Sequence, residues 1–234
     1  MHCFATGPYD RLCLEEALLR TTSGNWCFVN DGAAEPAIVL GISGKPHELI
    51  EVEKAKAARI QVIKRFSGGG TVVVDGNTQF VTLVVEGSSL PQVEVYPRPV
   101  MKWSESFYAP LFSIYGDFHL REHDYIFGEH KFGGNAQAIT KQRWLHHTSF
   151  LWDFDPERME LLQAPARAPQ YRAGRSHLDF ICCLKNKLPD RSSLPTFVEK
   201  ALSVAGFKVE ACSLAQAEEL LQQDYLRTTR EIQL

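Results

Sequence analysis

Residues 65–71 read Arg-Phe-Ser-Gly-Gly-Gly-Thr and place a cation beside three consecutive glycines. Glycine has no Cβ, so the backbone of such a loop can adopt positive φ and its N–H groups can come close to a ligand. Arg65 at the mouth of the loop is suited to a phosphate or a similar anion. For this segment alone, a flexible hairpin connection is the alternative, because Gly-Gly pairs mark many ordinary turns.

A second glycine-rich segment and a histidine pair follow in the same chain. Residues 131–137 read Lys-Phe-Gly-Gly-Asn-Ala-Gln, and His146 and His147 lie in a strand-like run that ends at Trp152. The two loops and the pair, in this order and spacing, resemble the lipoate–protein ligase family within the wider biotin and lipoate ligase group. The resemblance covers most of residues 9–155. It also includes Tyr9-Asp10, Glu15-Glu16 and Val39-Leu40-Gly41.

The resemblance implies a two-step enzyme that uses ATP, Mg²⁺ and lipoate. Lipoate and ATP would give lipoyl-AMP and pyrophosphate, and the ε-amine of a carrier lysine would then attack the mixed anhydride and release AMP. A closed loop over the anhydride would protect it from water. The implied acceptors are the lipoyl carrier domains of 2-oxoacid dehydrogenase complexes or the glycine cleavage carrier protein.

Lys131 is the catalytic residue that the resemblance implies. The lysine of this motif contacts the acyl carbonyl oxygen and the nucleotide α-phosphate in the family, and a compact ammonium stabilises negative charge on both. Without the rest of the motif, a lysine before two glycines would be interpreted as a solvated loop residue. The residues implied to bind ATP or lipoyl-AMP are Arg65, Ser67, Gly68, Gly69, Gly70, Thr71, Val72, Val73, Asp124, Lys131, Gly134, Asn135 and Ala136.

Asp124 lies seven residues before Lys131, in an Arg-x-x-Asp context that the family shares. The resemblance implies that it assists Mg²⁺ and phosphate, although Mg²⁺ often keeps mostly water and phosphate ligands. An exposed loop residue is the alternative.

Adjacent residues of a strand point to opposite faces, so at most one member of the histidine pair can face a ligand. The alternation places His147 and Ser149 on one face, for which we predict the lipoyl pocket. The other face holds Trp144, His146, Phe150 and Trp152 and is predicted to be core. A hydrogen-bonded core histidine is the alternative for His147.

The elements that position these residues predict an α+β fold, because strand-like runs cluster and helices do not alternate with them regularly. The resemblance implies a mixed, largely antiparallel sheet backed by helices, with a small C-terminal α/β tail unit. We predict a catalytic domain over residues 1–190 and a short helical extension over residues 191–234 that packs on it. Predicted elements include a helix over 46–58, a helix over 99–115 that Pro110 kinks or splits, and a tail strand over 207–212.

Composition limits the function classes. The chain of 234 residues has 44% hydrophobic and 23% charged residues, which are ordinary globular values. A net charge of −3 lacks the excess of positive charge that is typical of nucleic-acid-binding proteins. The sequence contains no run of eighteen apolar residues, so it predicts no membrane span. The first twenty residues lack the apolar core of a signal peptide, so six cysteines are expected to be reduced thiols. We therefore expect a cytoplasmic or organellar-matrix protein, with the mitochondrion included, and not a secreted one.

Among the departures from the family, two bear most on the reaction. Val74 stands where many relatives have His, and only about forty residues follow Pro195, whereas larger bacterial ligases carry an accessory domain. In some relatives that domain or a partner protein is required for adenylation. The chain is therefore expected either to adenylate lipoate alone, to need an accessory partner, or to use preformed lipoyl-AMP.

Three other functions remain open. An acyltransferase of the same fold would move octanoyl or lipoyl groups between carriers, sometimes through a cysteine, but neither glycine motif contains one. A lipoyl-binding or carrier-docking protein would keep the fold without adenylation. A biotin ligase fits less well, because its Gly-Arg-Gly-Arg type of loop is missing.

Overall fold

Two β-sheets and their covering helices form the regular structure of this computed structural model, which describes residues 7–164 and 168–234. The helices are α1 (Pro8–Thr21), α2 (Pro46–Leu49), α3 (Val52–Ala57), α4 (Pro97–Phe112), α5 (Pro156–Met159), α6 (His177–Phe180), α7 (Ser193–Val204) and α8 (Leu214–Leu221). The strands are β1 (Trp26–Asp31), β2 (Ala37–Leu40), β3 (Gln61–Lys64), β4 (Val72–Val74), β5 (Thr78–Glu86), β6 (Phe118–Arg121), β7 (Asp124–Phe127), β8 (His130–Ile139), β9 (Arg143–Leu151) and β10 (Arg230–Glu231).

The larger sheet has six strands in the order β1-β5-β9-β8-β7-β6, and every neighbouring pair is antiparallel. The smaller sheet has the order β10-β3-β2-β4, in which β2 and β3 run parallel. The predicted α+β class, with a mixed and largely antiparallel sheet arrangement, is confirmed. α1 packs on β5 and β9, and α4 covers the opposite face of the larger sheet, so β5 and β9 are buried along nearly their whole length.

The main core lies between the larger sheet and helices α4 and α7. The rings of Tyr108 and Phe112 lie 5.2 and 5.4 Å from the ring of Phe150 in β9. Leu194 and Val198 of α7 are fully buried in the same cluster. Burial of each such side chain stabilises the fold by about 1.5–3 kcal/mol. This cluster therefore fixes one face of β7, β8 and β9 and leaves their other face for the site described below.

Two predicted helices differ in detail from the structure. The predicted helix over 46–58 is divided into α2 and α3, because Ile50 between them has extended backbone and forms a bridge with Leu162. Its side chain is fully buried there, so apolar burial outweighs continuation of the helix. The sequence predicts that Pro110 kinks or splits the helix over 99–115; the structure has one helix, α4, which is not split and has Pro110 in its last turn. None of the described helices is long and apolar enough to cross a membrane.

The C-terminal segment docks on α1 and on the smaller sheet. Residues 207–212 form no strand, contrary to the prediction; the strand of this segment is β10, which pairs with β3. Glu16 of α1 is fully buried and accepts hydrogen bonds from the N–H groups of Thr228 and Thr229, both at 2.9 Å. The division of the chain at residue 190 stays a prediction.

Candidate functional site

Side chains of three neighbouring strands share the face of the larger sheet that is turned away from α4. Asp124 of β7 pairs in register with Gly134 of β8, and Gly134 pairs with Ser149 of β9. Ala136 and His147 are the next pair of β8 and β9 on this face. Residues directly opposite one another in antiparallel strands point to the same side. We call the face defined by these five residues the site face.

A β-bulge in β8 brings Lys131 to the site face. Tyr125 pairs with Gly133, whereas the next residue, Ile126, pairs with Lys131, so Phe132 is an extra residue in β8. Phe132 is buried in the main core, and a Cβ on Gly133 would also meet the Tyr125 ring on the core side. Without the extra residue, simple alternation would turn Lys131 toward the core.

Lys131 is held in an ion pair on the site face, where its Nζ lies 2.8 Å from Asp124 Oδ1. The hydroxyl of Tyr171 donates to Asp124 Oδ2 at 2.8 Å, so the carboxylate is held from both sides. A Cβ on Gly134 would lie 3.3 Å from Lys131 Nζ and 3.6 Å from Ser149 Oγ. The Lys131 side chain is 24% exposed, so this cation is accessible to an incoming anion.

The glycine loop, residues 67–71, lies across β8 beside the site face. Gly68 and Gln137 form an isolated bridge in which the Gly68 N–H donates to Gln137 O at 2.9 Å. Gly69 has φ +130°, which favours glycine, and a Cβ there would collide with a neighbouring arginine side chain. A Cβ on Gly70 would meet nothing within 4 Å, so the loop is open at this point. The structure therefore brings the two glycine-rich segments together.

Arg65 lies under the glycine loop and holds its backbone. Its Nη2 donates to Gly70 O at 2.9 Å, and the side chain is only 3% exposed. Burial lowers the pKa of Arg65 to about 10, which still leaves it charged at neutral pH. Arg65 Nε, Ser67 Oγ and Thr71 Oγ1 are enclosed and have no hydrogen-bond partner among the described residues. The predicted contact of Arg65 with phosphate stays a prediction.

A buried network joins His147 to α1. His147 Nδ1 donates to Glu15 Oε2 at 2.6 Å, and Thr82 Oγ1 donates to Glu15 Oε1 at 2.9 Å. Arg11 forms an ion pair with the same carboxylate, and all four side chains are buried. Because Glu15 holds the proton on Nδ1, Nε2 of the neutral ring is left as a hydrogen-bond acceptor.

Burial and charge oppose one another in this network. Burial would raise the pKa of Glu15, but His147 and Arg11 bring it below its ordinary value. Burial lowers the pKa of His147, and Glu15 offsets that effect only in part. At neutral pH the network therefore holds an ionised Glu15 and a neutral His147.

A family model of the lipoyl protein ligase A/B catalytic domain matches residues 7–205 of this chain. The chain belongs to this family. It is 29% identical to inactive lipoate–protein ligase 2 of Plasmodium falciparum over 218 aligned positions, with 79% of this chain and 56% of that protein covered. The chain spans about half the length of the curated relatives that it matches.

Two solved structures share the fold of this lipoyl ligase domain. A lipoate-protein ligase A bound with ATP aligns with a TM-score of 0.73 and 16% identity, covering 90% of this chain and 86% of that chain. The structure of a bi-partite lipoate protein ligase and its E2 lipoyl domain from Thermoplasma acidophilum aligns with a TM-score of 0.74 and 16% identity, covering 95% and 89%. The resemblance stated from the glycine motifs is thus confirmed at the level of family and fold.

The other predicted nucleotide-binding residues of the lipoyl ligase domain have structural partners. Val72 and Val73 lie in β4 and pair with β2. Asn135 points to the opposite side of the sheet from the site face, where its Oδ1 accepts from Thr148 Oγ1 at 2.6 Å. Val74, where many relatives have His, is fully buried in an apolar cluster. The nucleotide contacts of these residues stay predictions.

Cys182 lies beside Lys131, although it is far away in the sequence. Its N–H donates to Lys131 O at 2.8 Å, and its Sγ lies 3.6 Å from His130 O. Burial raises the pKa of the Cys182 thiol to about 11. Because a nucleophilic cysteine must be a thiolate, this environment argues against an acyltransferase that works through Cys182.

The site offers few protein ligands for Mg²⁺. The part of the chain that the structure describes contains no group of three His, Cys, Asp or Glu side chains arranged to hold a metal. The two oxygens of Asp124 already accept from Lys131 and Tyr171. This donor set does not fit an Mg²⁺ held by the protein alone. The Mg²⁺ that the resemblance implies would need nucleotide phosphates and water as its main ligands.

Sequence reasoning assigned no role to two partners of the site. Glu15 belonged to the resemblance, but its contact with His147 spans 132 positions of the chain. An acidic residue inside an apolar helix was the available signal, since such residues are rarely buried without a partner. Tyr171 lies 47 positions from Asp124 in the sequence, and no local pattern marks it.

His146 predicts a loss of stability in mild acid. It is fully buried on the core side, where Gln137 Nε2 donates to its Nδ1 at 3.1 Å, and burial lowers its pKa to about 3. The unfolded chain binds a proton near pH 6.5 and the folded chain does not, so stability falls as pH drops through that value. The loss is about 1.4 kcal/mol per pH unit for one proton. Urea unfolding gives the free energy of unfolding at each pH between about pH 7 and about pH 5. Its slope against pH should be smaller in His146→Asn than in the wild type, by the amount that corresponds to roughly one proton. Equal slopes would contradict this assignment.

Proposed function

We propose that this chain activates lipoate with ATP to lipoyl-AMP and transfers the lipoyl group to a lysine of a carrier domain. The observation that carries the proposal is Lys131, whose Nζ is held by Asp124 over Gly134 while staying partly exposed. Family membership, and a fold shared with a ligase bound with ATP, support it. The acceptors are lipoyl carrier domains of 2-oxoacid dehydrogenase complexes or the glycine cleavage carrier protein.

In the first step, a carboxylate oxygen of lipoate attacks the α-phosphorus of ATP, and the bond to pyrophosphate breaks. Lys131 stabilises the negative charge that develops on the phosphate oxygens. The open backbone at Gly70 gives the phosphates room to approach. Three enclosed, unpaired polar atoms lie in the loop or under it, on Ser67, Thr71 and Arg65, and each costs about 1–3 kcal/mol. Closure of the loop on the nucleotide gives these atoms partners.

In the second step, the amine of the carrier lysine attacks the acyl carbon, the bond to AMP breaks, and the amine loses a proton to solvent. Lys131 polarises the acyl carbonyl oxygen in this step. His147 and Ser149 line the lipoyl pocket: the hydroxyl of Ser149 lies near Gly134, as Lys131 Nζ does, and the neutral His147 adds no charge to the binding site of the apolar chain.

A transfer-only enzyme is the second candidate, and two observations favour it. Val74 is buried in an apolar cluster, so it supplies no polar contact where many relatives have His. A relative at 29% identity is named as an inactive ligase. Such an enzyme would use lipoyl-AMP made by an accessory partner and would carry out the second step alone.

Pyrophosphate release separates these candidates. The purified chain is incubated with ATP, Mg²⁺ and either lipoate or octanoate, without carrier. We expect release that depends on the acid. If none occurs, but synthetic lipoyl-AMP leads to modification of a lipoyl carrier domain, the transfer-only function replaces the ligase. If no pyrophosphate is released and synthetic lipoyl-AMP does not lead to modification of the carrier, both functions are excluded and a docking protein remains.

A further inference from the structure

The segment that contains Tyr171 is joined to the strand of Lys131 at one end, and its Tyr171 ring packs in a buried cluster with Ile126 of β7. At its C-terminal end, Ile181 forms a parallel bridge with Lys131, and the Cys182 N–H donates to Lys131 O at 2.8 Å. Near its start, the Tyr171 ring is buried against Phe180, with the ring centroids 5.0 Å apart. The position of the tyrosine is thus fixed independently of its hydroxyl.

The hydroxyl of Tyr171 decides which oxygen of Asp124 faces Lys131. It donates to Asp124 Oδ2 at 2.8 Å, while Oδ1 lies 2.8 Å from Lys131 Nζ. Burial, followed by the charge of Asp124, raises the pKa of Tyr171 above its ordinary value, so the hydroxyl stays a donor at neutral pH. The hydroxyl occupies one lone pair of Oδ2 and fixes the plane of the carboxylate, so that Oδ1 is the oxygen turned toward the ammonium.

We propose that Tyr171 is a positioning residue for adenylation: its hydroxyl orients Asp124 so that Lys131 Nζ stays over Gly134. The proposal rests on the function proposed above for Lys131. Without the hydroxyl, Asp124 Oδ2 loses its donor, and the carboxylate turns both oxygens toward the ammonium. Lys131 is then neutralised more fully and is drawn away from the acyl oxygen and the phosphate. Tyr171 itself contacts neither reacting group.

The test is a double-mutant cycle with Tyr171→Phe, Asp124→Asn and the combination, and Tyr96→Phe serves as an exposed control. Tyr171→Phe keeps the ring contacts and is expected to lower kcat for pyrophosphate release by about tenfold to a hundredfold, the range of a charge-assisted hydrogen bond. The KM for ATP should change less than kcat. Because Tyr171 acts through Asp124, its replacement should add no further loss in the Asp124→Asn background. Circular dichroism checks that each variant folds.

A second readout keeps this inference separate from the proposed function. The rate at which acetic anhydride acetylates Lys131, relative to exposed Lys141, is followed by mass spectrometry and needs no turnover. If the wild type makes no lipoyl-AMP, the proposed adenylation fails. The positioning contact is still supported if Tyr171→Phe changes the acetylation rate of Lys131 and if this change disappears in the Asp124→Asn background. An unchanged kcat and an unchanged acetylation rate, or equal effects in both backgrounds, would overturn the inference.

Discussion

Replacement of Lys131 by alanine is expected to lower the rate of lipoyl-AMP formation by about a hundredfold to a thousandfold, the usual loss for one group that stabilises charge in a transition state. Lys131 Nζ is the cation held over Gly134 by the Asp124 carboxylate. Arginine should not restore the rate, because its planar fork differs from a compact ammonium in shape and reach. Single-turnover measurement of lipoyl-AMP with saturating ATP and lipoate reports the effect on the chemical step.

Lys141→Ala is the matched control, because this lysine is exposed in the turn between β8 and β9. It should retain the wild-type rate and the wild-type melting temperature. Lys131→Ala should also melt close to the wild type, since Tyr171 still donates to Asp124. A Lys131→Ala variant that keeps more than about a tenth of the rate would contradict the assigned role, because the expected loss is far larger.

Sequence patterns predicted which residues of β9 lie on the site face, but not the contacts that hold the site residues in place. The alternation of a strand was enough to separate His147 and Ser149 from His146. The position of Lys131 on the same face depends on the bulge at Phe132, and residue alternation alone gives the opposite face. The alternation is a local property, whereas a bulge is decided by packing of the extra residue in the core.

The glycine loop illustrates a second limit of sequence reasoning. Arg65 and the loop suggested an anion site, and the structure places the guanidinium under the loop, bonded to Gly70 O. The pairing of Gly68 with Gln137 joins two motifs that are separate in sequence. The motif resemblance implied a shared site, but the contact that joins the loops could be seen only in three dimensions. Burial decides whether a basic residue binds a ligand or its own backbone.

Glu15→Gln is expected to lower the free energy of unfolding by about 3–5 kcal/mol, because it removes the charge from a buried ion pair. Glu15 is fully buried and accepts from His147 and Thr82 while it pairs with Arg11. Glutamine has nearly the same shape, but its amide group can accept through one oxygen only. Its NH₂ would face either the guanidinium of Arg11 or the Nδ1–H of His147. In both cases two hydrogen-bond donors would point at each other. The buried Arg11 would be left without its counter-charge.

The pH dependence of this difference identifies its electrostatic origin. The folded-state pKa of Glu15 lies below its ordinary value of 4.5. Its contribution is therefore fully present above pH 4.5 and is lost as pH falls through the folded-state value. Measured by urea unfolding, the free energies of unfolding of the wild type and Glu15→Gln should differ most near neutral pH and converge as the pH falls through the folded-state pKa of Glu15. Glu53→Gln, whose side chain is 86% exposed, should match the wild type throughout. A constant difference at every pH would assign the loss to packing and would contradict the ion pair as its cause.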